Sequence, residues 1–146
     1  MKIIGVACGG FTSEREISLK SGNLIFELIQ DSEFECFKIE VNKKNYKVID
    51  KFENNFSLNK KNFQFFKNDF RFSFDYIINL VHGSPGEDGL ITKKLEDLGI
   101  SHSTCNSSIA ELTFNKKRCL DLAKKVGLKT AKNILIKNNQ DINEKE

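Results

Sequence analysis

Twice in 146 residues, an apolar strand-like run breaks at glycines and passes into a segment of helical period. The first copy is KIIGVA at 2–7, rich in β-branched residues, followed by Gly9 and Gly10 and then by Ile17, Leu24, Ile25, Leu28 and Ile29 at helical spacing. The second is DYIINLV at 75–81, followed by HGSPGEDG at 82–89 and by Leu90, Ile91, Leu95 and Leu98 on one helical face. Each helix start carries an S-x-x-E capping box, Ser13 with Glu16 and Ser84 with Glu87, the second with Pro85 at the first helical position. The spacing predicts helices near 13–30 and 87–98. Strand, glycine turn and helix in repetition predict an α/β fold, a Rossmann-like parallel sheet with helices on both faces. Such sheets bind ligands at the carboxyl ends of their strands. If the two strands are neighbours, the turns at 8–14 and 82–88 face one crevice.

Between the copies, FECFKIEV at 34–41 alternates as a strand, and NKKN at 42–45 turns into a further strand at YKVID. Residues 53–74, where Phe alternates with polar residues around NKKN at 59–62, read as a β-hairpin insertion. After the second copy, Gly99 stops the helix and ISHST at 100–104 makes a short strand. A third helix from about Ser108 to Val126 is expected to bury Leu112, Cys119, Leu122 and Val126 and to stop at Gly127. LKTAKNILIK at 128–137 reads as the start of another strand, and NNQDINEKE at 138–146 as a polar end.

With 39% hydrophobic residues, this length supplies the core of one ordinary domain. The 23 basic and 20 acidic residues are scattered, without the basic block that follows a nucleic acid backbone, so no nucleic acid partner is expected. No apolar segment approaches a membrane span, and the apolar N-terminal run is shorter than that of a signal peptide. The expectation is a soluble cytoplasmic protein. Cys8, Cys36, Cys105 and Cys119 lack C-x-x-C spacing and read as free, mostly buried thiols of a reducing compartment.

A helix mouth beside a glycine turn ordinarily cradles phosphate. Here the first mouth carries Glu14 and Glu16, the second carries Glu87 and Asp88, and G-x-G-x-x-G is absent. Acids in a first turn already satisfy the helix field, so a cation such as the ammonium of an amino acid suits the crevice better. Glu14 is the best placed to meet it, and the competing role is a first-turn acid that offsets the macrodipole. Glu16 fits its capping role. His82 lies directly after the strand among Gly83, Gly86 and Gly89, where an imidazole orients or exchanges a proton with a ligand, or else serves as a structural hydrogen-bond partner. His102 lacks that setting and is expected on the surface. Lys116, Lys117 and Arg118 form a charge run that is a solvated helix face unless one lysine turns toward the crevice.

GGFTSEREISLKSG at 9–22, HGSPGEDG at 82–89, GISHSTC at 99–105 and AELTFNKKRCLDLAKKVGLKTAKNILI at 110–136 closely resemble the N-terminal part of the D-alanine-D-alanine ligase family. The similarity runs from residue 1 to about 136 and is loosest over 42–74. TFNKKRC and the TAK after it are most similar to versions from the Bacteroidetes side of the family. The resemblance implies a pre-ATP-grasp fold and an ATP-grasp ligase of cell-wall synthesis. There ATP phosphorylates the carboxylate of one D-alanine, and the amine of a second attacks the acyl phosphate. It further implies that Glu14 holds the ammonium of the first D-alanine, that His82 lines the same subsite, and that Lys116 reaches the ATP phosphates. The full-length enzyme is then expected to use ATP with Mg2+ or Mn2+ and to form a homodimer.

Thr92 and Lys93 stand where the family usually has Gln-Gly, and Asn115 where Asp is more common. The family's adenine pocket and metal ligands belong to later domains. Residues 1–104 are therefore expected to form the substrate domain, 105–136 a helix and strand leading into the ATP-grasp central domain, and 137–146 a truncated polar end. On its own the chain is expected to make no D-alanyl-D-alanine. Two other classes compete: an amino-acid-binding module without catalysis, and a phosphate- or nucleic-acid-binding domain. The acidic helix mouths weigh against the latter.

Overall fold

A computed structural model describes residues 1–135. Its six-stranded sheet has the order β4-β3-β2-β1-β7-β8, with β1 (Ile3–Gly9) at the centre between β2 (Glu35–Val41) and β7 (Tyr76–Asn79). These neighbours run parallel to β1, and β8 (Ser101–His102) runs parallel to β7. The expected parallel sheet is thus present, extended at one edge by antiparallel β3 (Tyr46–Ile49) and β4 (Asn55–Leu58). The hairpin expected over 53–74 around 59–62 is shorter and shifted: β4 belongs to the main sheet, and the separate hairpin is β5 (Gln64–Lys67) with β6 (Phe70–Ser73), turning at Asn68 and Asp69. One phenylalanine of each strand folds inward, where Phe65 stacks on Phe72 and Phe74 and meets the Phe37 ring edge-on at 4.9 Å, while Phe66 and Phe70 are exposed.

Alternation along β1 divides the core between two faces. Val6 joins Phe26 and Cys36 beneath α1 (Arg15–Ile29), whereas Ala7 joins Phe37, Ile77, Ile91 and Leu95 beneath α2 (Leu90–Asp97) and the phenylalanine hairpin. Ile25 and Ile29 pack beside the first cluster, but the stripe of α1 that contacts the sheet is Ser18, Gly22 and Phe26. Ile17, Leu24 and Leu28, of the same helical period, are exposed. Small residues let the helix approach β1 so closely that a methyl group on Gly22 would lie 2.3 Å from Cys8 Cβ.

Several expectations fail, each for a local reason. Neither S-x-x-E box caps a helix. Thr12 Oγ1 takes the Glu14 N–H, α1 starts only at Arg15, and its N-cap is Glu14 without a side-chain bond, so Ser13 is out of register. Pro85 follows a cis peptide inside a turn where Gly83 O accepts from the N–H groups of Gly86 and Glu87; α2 begins at Leu90 after left-handed Gly89. The third helix divides at Asn115 into α3 (Ser107–Phe114) and α4 (Lys116–Lys125), because the extended Asn115 caps α4 by accepting from the Arg118 N–H. None of the four residues expected to be buried there is so: Leu122 and Val126 are exposed, and Leu112 and Cys119 are half-buried. Residues 128–135 form no strand, with Leu128, Ile134 and Leu135 exposed; residues 136–146 lie outside the described part. His102 is half-buried rather than superficial, its Nδ1 3.0 Å from Thr104 Oγ1.

Replacing Gly22 with Ala tests the helix–strand contact. In an open helix this change stabilises by about 1 kcal/mol. Here the new methyl meets a Cβ held by a central strand, and overpacking of that kind costs about 1–3 kcal/mol. Urea denaturation is expected to show a net loss of up to about 2 kcal/mol, and a gain would mean that the contact is loose. The same contact seals the Cys8 thiol, which burial pushes up to about 11. At neutral pH a thiol reagent should modify exposed Cys105 in the native chain and reach Cys8 only on unfolding.

Candidate functional site

The parallel pairing of β1 with β7 sends both glycine turns out from one sheet edge, the edge at which such folds bind ligands. The turns are close-packed against each other. Phe11 N–H donates to Ser84 O at 2.8 Å, and Thr12 Oγ1 reaches His82 O at 3.4 Å. Gly83, at φ +64°, must be glycine twice over, since a Cβ there would lie 2.5 Å from Thr12 Cγ2. A Cβ on Gly10 would likewise come 2.9 Å from His82 O.

Between the turns and α3 lies an open cavity of about 800 Å³. Glu14, His82 and Lys116, three residues far apart in sequence, all line it. Glu14 is exposed at the first helix mouth and His82 is half-buried at the end of β7. Lys116 joins the lining as the first residue of α4.

The surrounding charges decide which groups are available. Arg15, next to Glu14, pairs with Glu40 and with Glu16 at 3.4 Å. Among the described residues no ion pair reaches Glu14. Glu16 is thus a partner of Arg15, not a cap. In the basic run, Lys117 pairs with Asp121 and Arg118 with Glu111 at 2.7 Å, whereas Lys116 has no such pair among the described residues. The cavity lining therefore holds the Glu14 carboxylate, the Lys116 ammonium and the His82 imidazole. Glu87 adds a second carboxylate to the lining, and Asp88 accepts from the Leu90 N–H instead.

Other lining residues carried weaker signals. Thr12 and Thr104 contribute hydroxyl-bearing side chains, and Asn79 interrupts the apolar run at 75–81, which is the one hint of a polar group at that strand end. Its Oδ1 accepts from the Val81 N–H, and its own N–H donates to Ser103 Oγ. Cys105, Thr113 and Phe114 complete the α3 side, with no motif to single them out. α3 is fixed to α2 by Glu96, whose two oxygens accept from Ser107 N–H and Oγ–H; those donors hold its carboxyl below the usual range. Thr92 is fully buried and bonds Thr104 across to the cavity wall, so the departure at that position is absorbed by a hydroxyl pair. Among the described residues no three His, Cys, Asp or Glu side chains cluster as a metal site.

Known proteins share this arrangement of elements. The profile of the family described as D-ala D-ala ligase N-terminus matches residues 3–105. The D-alanine-D-alanine ligase of Christiangramia forsetii is 34% identical over 145 residues, which is 99% of this chain and 44% of that protein. The crystal structure of D-alanine-D-alanine ligase from Aeromonas hydrophila superposes with a TM-score of 0.81 at 20% identity, over 97% of this chain and 53% of that one. The ATP complex of the Bacillus anthracis ligase gives a TM-score of 0.71 at 26% identity, over 98% and 43%. The chain spans less than half the length of the curated relatives it matches. With the family profile covering most of its length, the chain belongs to the D-alanine-D-alanine ligase N-terminal family.

Proposed function

We propose that this chain is the substrate-holding part of an ATP-dependent D-alanine-D-alanine ligase and that its cavity takes the first D-alanine. The observation that carries the reading is Glu14, a carboxylate left without an ion pair on the wall of a cavity shared with His82. An ammonium is the small cation of matching charge, and a charge-assisted hydrogen bond of this kind contributes about 1.5–3 kcal/mol. His82 lies on the opposite turn, suited to orient the carboxylate end of the same amino acid. Lys116, in the same lining, fits the phosphate side of the reaction.

When bound, ATP supplies the phosphoryl group that activates the D-alanine carboxylate for attack by a second amine. The residues of this chain hold the first substrate by its ammonium, orient its carboxylate and present one lysine to the incoming negative charge. Magnesium ligands belong, in this reading, to the ATP-grasp domains that α3 and α4 lead into. The product serves peptidoglycan synthesis in the cytoplasm; no helix among the described residues is long and apolar enough to cross a membrane. The full-length protein is a homodimer, a reading supported by the exposed apolar stripe of Ile17, Leu24 and Leu28 on α1.

Replacing Glu14 by Gln keeps the size and removes the charge. D-alanine binding, followed by calorimetry or NMR, should weaken about tenfold or more, since about 1.4 kcal/mol is a factor of ten. Thermal stability should hardly change, because the side chain is exposed and caps nothing. A lower melting temperature with unchanged D-alanine affinity would make Glu14 a helix-dipole acid and remove the ammonium role.

A further inference from the structure

The ladder between β1 and β7 has its last register pair at Ala7 and Asn79, and Leu80 N–H adds one bond to Ala7 O. Beyond that point no further backbone rung joins these two strands among the described residues, although the cavity lies there. The next rung is supplied by a side chain. Ser18 Oγ accepts from Gly9 N–H at 2.8 Å and donates to Leu80 O at 2.5 Å, and the residue is fully buried. Gly9 N–H, in a buried residue, would otherwise be unsatisfied, and Leu80 O at the cavity lining would lose this partner. Helix formation does not call for a serine here, because Ala has the higher propensity and would occupy the same space.

Position gives this bond its consequence. Ser18 N–H donates to Glu14 O at 3.0 Å, which places Glu14 one helical turn ahead of Ser18. Leu80 stands two residues before His82 in the chain. One hydroxyl thereby joins the first turn of the helix that carries Glu14 to the strand end that carries His82. Thr12 repeats the connection further out, accepting from Glu14 N–H at 3.3 Å and donating to His82 O at 3.4 Å.

We propose that Ser18, reinforced by Thr12, is a positioning residue of the crevice: the two hydroxyls hold the glycine turns in register and set the spacing of Glu14 and His82. The proposal rests on the D-alanine reading above for its ligand. Neither hydroxyl takes part in the chemistry.

The test compares the wild-type chain with Ser18→Ala, Thr12→Val and Thr12→Ser. Amide hydrogen exchange is read at Gly86 and Glu87, whose N–H groups bond Gly83 O in the second turn, and at the β5–β6 hairpin as a reference. Loss of either hydroxyl should accelerate exchange at Gly86 and Glu87 about tenfold relative to the hairpin, and Thr12→Ser, which keeps the hydroxyl, should restore the wild-type rates. Titration with D-alanine should show affinity reduced severalfold in Ser18→Ala. Unchanged exchange in the second turn would overturn the proposal. So would acceleration that is uniform over the whole chain, or equal D-alanine affinity in wild type and Ser18→Ala. A wild-type chain whose Glu14 and His82 signals ignore D-alanine would overturn the substrate reading instead, and the exchange rates would still decide whether the hydroxyls tie the turns.

Discussion

The pairing of β1 with β7 is the constraint on which the site depends. Because these strands are parallel neighbours, the turns that follow them leave from the same edge, and residues some seventy positions apart in the chain come to line one cavity. An antiparallel pairing would have put the turns at opposite ends. The pairing stops at Ala7 and Asn79, and this early ending leaves residues 80–83 to line the cavity between the turns and α3. It also leaves backbone groups that Ser18 and Thr12 satisfy.

Local charge pairing then selects the residues available to a ligand. The segment around Glu14 contains an adjacent arginine, and the run at 116–118 contains three cations, so neither segment by itself reveals which charge is exposed to the cavity. Arg15 is taken by Glu40 on β2, Lys117 by Asp121 one turn along α4, and Arg118 by Glu111 on α3. What remains in the lining, without an ion pair among the described residues, is Glu14, Glu87 and Lys116. Exposed pairs of this type contribute little to stability, with a median of about 0–1 kcal/mol. Their importance here is in the arrangement they leave rather than in the energy they add.

The central strands and the two glycine turns were legible because period and turn chemistry speak directly for them, whereas the middle segment was legible as a hairpin but with its turn at 59–62 instead of Asn68 and Asp69. The helix starts were not. Ser13 and Ser84 sit in the right sequence pattern for a cap, yet Thr12 captures the donor at the first turn, and the Gly83–Glu87 turn consumes the second box before α2 begins. The break at Asn115 was hidden for a similar reason: an asparagine in a helical run is unremarkable until its side chain takes the Arg118 N–H. The buried face of α1 was misleading as well. Its apolar periodicity draws attention to Ile17, Leu24 and Leu28, whereas the sheet is met by Ser18, Gly22 and Phe26, a stripe in which small size matters more than hydrophobicity. Glu14 and His82 were legible as candidates from their glycine surroundings and from the family resemblance, and the shared crevice was expected on the condition that the two strands are neighbours, which the strand order meets.

The most direct measurement of the central claim is a crystal structure of the chain with D-alanine bound. The ammonium nitrogen is predicted within hydrogen-bonding distance of the Glu14 carboxylate, and the D-alanine carboxylate on the side of His82. Density for D-alanine elsewhere on the chain, or in this cavity with its ammonium turned away from Glu14, would contradict it.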